Sequence, residues 1–152
     1  SCNKVLVFNL GFDSKGNDKL NSWVYVPEKE FIFYRIGYYD NIMNTDRMSL
    51  YVEIGFSQKQ EMLKEGLYLD RILSDLRKMG IITTQKLVDY EAVLMNPAYV
   101  HINKKSVETV EEYKEILEKN DIYSIGRYGS WTYCSIEDNI LEARELAEKL
   151  NK

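Results

Sequence analysis

Four strand-like runs near the N-terminus are joined by connections too short for a helical crossover. Residues 4–10 (KVLVFNL) form an apolar, β-branched run, and residues 22–26, 31–38 and 49–56 are rich in aromatic and β-branched residues. Residues 11–21 are rich in Gly, Asn and Asp, which is typical of a loop. Parallel neighbours need a crossover of about a dozen residues or more, so we expect an antiparallel meander.

Helical spacing replaces strand-like runs in the rest of the chain. Apolar residues recur at intervals of three and four over 58–79 and again over 107–118. Ser135 is the predicted N-cap of a last helix, with Glu137 and Asp138 in its first turn. Strand-like segments are predicted at 86–95 and 121–125, and residues 40–47 are predicted to be irregular.

These patterns predict an α+β fold with an antiparallel or mixed β-sheet and about three helices. We expect a single domain over 1–152. Its sheet would occupy residues 1–102, and a C-terminal strand and helix would occupy 120–152.

Composition excludes several classes of protein. The 152 residues are 45% hydrophobic and 29% charged, which is enough to build a core without disulfides or a metal. The net charge of −4 disfavours nucleic acid as a partner. No apolar run is long enough to span a bilayer, and no signal peptide is recognisable, so we expect a cytoplasmic protein. Cys2 and Cys134 are expected to be free thiols, although a bridge between them stays open.

The familiar catalytic and nucleotide-binding motifs are missing. The eight glycines do not form GxGxxG or a P-loop, and no GxSxG, CxxC or HExxH occurs. His101 is the single histidine, too few for a histidine-based metal site, and we interpret it as a surface or hydrogen-bonded residue. Residues 13–18 resemble a calcium loop only faintly and are interpreted as a surface loop. The sequence therefore predicts no metal site and no catalytic residue.

The densest aromatic cluster accompanies a single arginine, Arg35. Phe31, Phe33 and Arg35 alternate and would share one side of a strand. One interpretation is core packing with a solvated arginine. The other is a sheet face that stacks a sugar or planar ligand while Arg35 pairs with its anion. The aromatic residues of the cluster are Trp23, Tyr25, Phe31, Phe33, Tyr34 and Tyr38.

Residues 122–150 contain a second candidate site. A strand would lead into Gly126 and Arg127, then through aromatics to a helix N-terminus. Free N–H groups at a helix start favour an anion, and Arg127 would add a fork matched to phosphate. An ordinary strand–turn–helix with a structural arginine explains the same residues.

The stretch GRYGSWTYCSIEDNI, residues 126–140, resembles the C-terminal end of UDP-galactopyranose mutases and of related protoporphyrinogen oxidase-like and amine oxidase-like flavoproteins. The segment WVYVPEKEFIFYRIGYYDN, residues 23–41, resembles the sheet segment of that family. SLYVEI, DLRKMGII and NPAYVHI follow in the family's order.

The resemblance implies two groups of site residues. Residues near the flavin or its phosphates would be Gly126, Arg127, Gly129, Ser135, Glu137 and Asp138. Residues on the substrate side would be Trp23, Tyr25, Tyr34, Arg35, Trp131 and Tyr133. Thr132 and Ser135 stand where the mutases typically have Arg and Asp, which disfavours strict UDP-galactopyranose mutase activity.

The resemblance further implies that the chain is the substrate-side and C-terminal part of an FAD-dependent oxidoreductase or sugar mutase-like enzyme, with an expected role in cell-surface polysaccharide biosynthesis. Its partners would be a missing FAD-binding Rossmann half and a small-molecule or nucleotide-sugar substrate. We expect the isolated chain to be inactive. The alternative is a stand-alone module that binds a nucleotide-sugar or glycan without flavin.

Overall fold

The computed structural model of the protein describes residues 1–151 and divides the chain into two compact units. The first unit is Ser1–Val100, and the second begins at His101. Among residues 1–151, all of the buried residues belong to the first unit, which contains the β-sheet.

A five-stranded antiparallel sheet forms the first unit, and the predicted α+β class is confirmed. The spatial order is β2-β3-β4-β1-β5, so the predicted meander forms only over β2, β3 and β4, and β1 lies between β4 and β5 instead of next to β2. The strands are β1 (Asn3–Phe12), β2 (Trp23–Tyr25), β3 (Arg35–Tyr38), β4 (Ser49–Ser57) and β5 (Leu87–Met95).

One face of this sheet is buried against helix α2 (Glu65–Lys78). Alternate residues of β1 and β4 point to this face, which we call the core face. The helix contributes Tyr68, Ile72 and Leu76, each at most 4% exposed. The strand residues of the core face include Leu6, Phe8, Leu10, Phe12, Ile36, Tyr38, Leu50, Val52, Ile54 and Phe56.

Two predicted elements of the first unit begin later than the sequence suggested. Residues 31–34 are not a strand, because Ile32 N–H donates to the Asp75 carboxylate at 2.9 Å and the Phe33 side chain enters the core. The helix predicted over 58–79 begins only at Glu65. The predicted irregular stretch 40–47 contains a short helix, α1 (Tyr39–Met43), which ends at Asn44 in the left-handed region.

Three helices make up the second unit: α3 (Lys104–Glu118), α4 (Gly126–Gly129) and α5 (Ile136–Leu150). Capping boxes start α3 at Asn103 and α5 at Ser135, so the predicted Ser135 cap is confirmed. The strand predicted at 121–125 is absent. Asp121 has a φ of 58° and Ile122 N–H donates to the Leu117 carbonyl, so the chain turns at the end of α3 instead of extending.

The second unit has amphipathic helices but no fully buried side chain among residues 101–151. Large apolar residues of α3 and α5, including Ile116, Ile136 and Ile140, are more than half exposed. Across residues 1–151, none of the helices combines the length and apolar character needed to cross a membrane.

Replacing Ile72 with Ala should reduce the free energy of unfolding by about 2–5 kcal/mol, because the side chain is fully buried in the core. Urea unfolding followed by circular dichroism measures this change. Leu67 lies on the same helix but is 56% exposed, so Leu67→Ala should change stability by only about 0.5 kcal/mol. Equal losses for the two variants would contradict the assignment of the core face.

Candidate functional site

The second face of the sheet, opposite the core face, carries two rows of residues that cross all five strands. The strand registers place Trp23, Gly37, Tyr51, Asn9 and Glu91 side by side in one row. The neighbouring row is Tyr25, Arg35, Glu53, Val7 and Val93. Alternation along each strand explains why these polar and aromatic side chains share a face.

A buried ion pair lies at the centre of the second row. Arg35 Nη2 donates to one carboxylate oxygen of Glu53, and the Tyr34 hydroxyl donates to the other. Glu53 is only 4% exposed, so its charge needs these partners. Both Glu53 oxygens are therefore engaged within the protein.

The titration of Arg35 and Tyr34 reflects this arrangement. Burial opposes the charged form of Arg35, but its hydrogen bond and charge interaction with Glu53 outweigh burial and raise the pKa of Arg35. Burial raises the pKa of the Tyr34 phenol, and the Glu53 carboxylate raises it further. Arg35 is thus a cation and Tyr34 a neutral donor at ordinary pH.

Two tyrosine rings flank the Arg35 guanidinium. Its carbon lies 5.9 Å from the centroid of Tyr25 and 6.0 Å from that of Tyr51, within the range of cation–π contacts. Tyr39 packs against Tyr51 with centroids 5.0 Å apart. The Tyr51 ring lies over Gly37, where an added Cβ would come within 1.7 Å of a ring carbon. The absence of a side chain at Gly37 therefore lets Tyr51 reach Arg35.

The sequence located part of this face. Trp23, Tyr25, Tyr34 and Arg35 do come together, and Trp23 and Tyr25 are 51% and 64% exposed. The predicted placement of Phe33 beside Arg35 is wrong, because Phe33 is buried in the core.

Sequence reasoning missed Tyr51, Glu53 and Gly37. The alternation of SLYVEIGF, residues 49–56, contained the signal, since Tyr51 and Glu53 must point away from Leu50 and Val52. A lone carboxylate in an otherwise apolar strand indicates a partner on a neighbouring strand.

The second group of predicted site residues surrounds the turn between α4 and α5. The Arg127 guanidinium lies 5.0 Å from the Tyr133 ring centroid, and its Nη1 donates to the Cys134 carbonyl at 3.3 Å. Tyr133 is 53% exposed, whereas the Trp131 indole nitrogen is buried. Gly126, Arg127 and Gly129 belong to α4, and Ser135, Glu137 and Asp138 belong to the start of α5.

Several of the backbone N–H groups that the sequence suggested as an anion-binding site already donate hydrogen bonds to side-chain oxygens. Glu142 accepts from Gly126 N–H at 2.7 Å, and Asn139 accepts from Arg127 N–H at 2.9 Å. At the start of α5, Asp138 accepts from the Ser135 N–H at 2.7 Å, and these hydrogen bonds lower the pKa of Asp138. The Arg127 side chain is therefore the group of this turn best suited to meet an anion.

A cleft of about 490 Å³ in the first unit lies apart from both groups. It is lined by residues 16–21 together with Tyr38, Met48, Gly80 and Ile81. Of these, only Tyr38 belonged to the aromatic cluster that the sequence suggested as a ligand-binding face. Burial, and then the Asp18 and Asp40 carboxylates, raise the pKa of Tyr38 to about 12. The Asp18 carboxylate accepts hydrogen bonds from the Leu20 and Asn21 N–H groups, so it is already engaged within the protein.

Residues 1–151 contain no group of three or more His, Cys, Asp or Glu side chains placed to bind a metal ion. Cys2 and Cys134 are both free thiols and half-buried.

The fold recurs in parts of larger flavoenzymes. A crystal structure of reduced UDP-galactopyranose mutase matches 88% of this chain with a TM-score of 0.69 and 24% identity. A putative protoporphyrinogen oxidase from Exiguobacterium sp. 255-15 matches 99% of it with a TM-score of 0.66 and 13% identity. The chain spans 29% and 35% of those two proteins. No protein-family model and no curated protein matches the sequence.

Replacing Gly37 with Ala should displace the Tyr51 ring and destabilise the protein by about 1–3 kcal/mol, because the new methyl group overlaps that ring. Denaturant unfolding gives the loss, and the near-ultraviolet circular dichroism of the tyrosines reports the ring. Gly55→Ala is the control, since its Cβ would meet Tyr34 at an ordinary 3.6 Å. A Gly37→Ala variant as stable as Gly55→Ala would disprove the close packing of Tyr51.

The Glu142 carboxylate should titrate below its ordinary value of 4.5, because the Ser130 hydroxyl and then the Gly126 N–H stabilise its charged form. The stabilisation that it gives the second unit is therefore present above pH 4.5 and is lost as the pH falls through the lowered pKa. A carbon-13 NMR titration of Glu142 measures the pKa directly.

Glu142→Gln should remove this acid-dependent step, whereas Glu145→Gln, which alters a neighbouring carboxylate of α5, should leave it in place. An unshifted Glu142 would show that the hydrogen bonds to Ser130 and Gly126 do not persist in solution.

Proposed function

We propose that this chain is the substrate-binding and C-terminal part of an FAD-dependent oxidoreductase or sugar mutase-like enzyme. The observation that carries the proposal is the likeness of almost the whole chain to about a third of two flavoenzymes. The rest of such an enzyme would supply the FAD-binding Rossmann half, since this sequence has no GxGxxG.

The exposed apolar surface of the second unit supports this division. Its helices have amphipathic patterns, yet residues 101–151 include no fully buried side chain. Such faces are normally covered by another domain or chain. In the proposed enzyme the FAD-binding half would provide that cover.

In this proposal the α4–α5 turn would contact the edge of a bound FAD through a limited set of residues. Arg127 would pair with a phosphate or a flavin oxygen, and the exposed Tyr133 ring would stack on a planar group. Gly126, Gly129, Ser135, Glu137 and Asp138 would shape the turn around them. The flavin would supply the redox chemistry, and the protein would position it.

The second face of the sheet would hold the substrate. Trp23 and Tyr25 offer exposed rings, while Tyr34 and Arg35 are fixed by Glu53. Trp131 and Tyr133 would contribute at the boundary between substrate and flavin. A role in cell-surface polysaccharide biosynthesis and a location in the cytoplasm are part of the same proposal.

A second function is favoured by the completeness of the first unit. Residues 1–100 contain their own core and the whole second face of the sheet. A stand-alone module that binds a nucleotide-sugar or glycan without flavin would need nothing more.

Titration of FAD with the purified chain, followed by flavin fluorescence, tests the primary proposal. We expect quenching at micromolar concentrations, weakened in Arg127→Met because the cation beside Tyr133 is lost. Arg144→Met removes an exposed arginine of α5 and should bind FAD like the unaltered chain. Equal quenching in the two variants would contradict a contact between Arg127 and FAD, whereas absence of quenching is compatible with both proposed functions, because the Rossmann half would supply most of the FAD site.

A further inference from the structure

The only cation on the strands of the sheet's second face is already neutralised. Among the described strands, this face carries Arg35 and three carboxylates, those of Glu53, Asp89 and Glu91. Arg35 donates to Glu53, and its Nε atom is buried without a hydrogen-bond partner. An incoming phosphate would therefore meet a paired arginine and two further negative charges, which makes its binding unfavourable.

Hydrogen-bond acceptors predominate at the β5 end of the same face. Glu91 is exposed, and its carboxylate accepts from Asn9 Nδ2 at a long 3.4 Å. The Asn9 carbonyl oxygen accepts only a weak contact from Tyr39, at 3.5 Å. Ionised carboxylates and amide oxygens accept hydrogen bonds, so they suit a ligand that brings O–H donors. A diphosphate brings acceptors and is a poor match.

Aromatic rings predominate at the opposite end. Trp23 lies on the edge strand β2 with half of its surface exposed, and Tyr39, packed on Tyr51, is 41% exposed. The row from Trp23 to Glu91 covers four strand spacings, roughly 19 Å at about 4.8 Å each. This distance suits an elongated ligand of two or more rings.

We propose that the second face of the sheet binds an uncharged, hydroxyl-rich ligand of glycan type, laid along the row from Trp23 to Glu91. This inference rests on the proposed substrate-binding role and narrows its ligand class. Rings of the ligand pack on Trp23 and Tyr39, and its hydroxyl groups donate to Asn9 and Glu91. Any anionic group of the complete substrate lies away from Arg35.

The two tryptophans of the chain allow a direct test. Trp23 is on this face in the first unit and Trp131 is in the second unit, so their indole N–H signals in a nitrogen-15 NMR spectrum report separately. The neutral disaccharide lactose should shift the Trp23 signal, and the shift should be the same at low and high salt. Inorganic pyrophosphate should neither shift Trp23 nor reduce the effect of lactose.

A variant that removes the Glu53 charge should allow the second face to bind pyrophosphate. Glu53→Gln frees the Arg35 charge, so pyrophosphate should then shift Trp23 in a salt-dependent manner. Glu91→Gln removes a carboxylate of the same face but leaves the Arg35–Glu53 pair intact, and it should gain no response to pyrophosphate. Circular dichroism establishes whether each variant is folded. If Glu53→Gln does not fold, the lactose and pyrophosphate titrations of the unaltered chain still decide the question.

Three results would overturn the inference. A pyrophosphate shift at Trp23 in the unaltered chain would assign the face to an anion and leave the proposed substrate role standing. A shift with choline at lower concentration than with lactose would assign it to a cation, since aromatic rings with carboxylates also attract ammonium groups. No shift with any probe would remove the substrate role of the face, whereas the FAD titration tests the flavin proposal separately.

Discussion

The arrangement of the first unit depends on the burial of one sheet face beneath α2. Ile72 and Leu76 of that helix are fully buried against the apolar residues of the core strands. Successive side chains of a strand point to opposite faces of the sheet. When one set of alternate residues is buried under α2, the other set must therefore lie on the second face. The polar and aromatic side chains of the five strands therefore gather on the opposite face, where Trp23 and Tyr25 are exposed and Glu53 is buried.

The ion pair between Arg35 and Glu53 gives that second face its character. A nearly buried carboxylate is tolerated only with charged and hydrogen-bonded partners, and here it has both Arg35 and Tyr34. In turn it holds the guanidinium between the Tyr25 and Tyr51 rings. Because Arg35 is paired with Glu53, it is not free to bind an anion. Exposed aromatic rings and acceptor oxygens are the groups that remain to make contacts.

The sequence predicted the elements that have strong local patterns. The β1, β4 and β5 segments, the α2 and α3 periodicity and the Ser135 cap were all recognisable, because period and capping chemistry are local properties. Residues 31–34 were misjudged because a tertiary contact decides them, namely the hydrogen bond from Ile32 N–H to Asp75. Residues 121–125 were misjudged because local hydrogen bonds at the end of α3 turn the chain at Asp121, and the strand-like composition does not show this turn. The pairing of Arg35 with Glu53 needed the strand register, which a single sequence does not give. The occupation of the Gly126 and Arg127 N–H groups by Glu142 and Asn139 likewise depends on how α4 meets α5.

The amphipathic helices of the second unit and the likeness of the fold to parts of two larger proteins support the central proposal, that this chain is part of a larger flavoenzyme. Amphipathic helices without a buried side chain require a covering surface, and the fold recurs as a third of two flavoproteins. The most direct measurement is the nucleotide sequence upstream of the Ser1 codon in the source genome. The account predicts an open reading frame that continues upstream through a strand, a GxGxxG turn and a helix. A start codon at this boundary, with no such frame nearby, would contradict it and leave a module that binds its ligand without flavin.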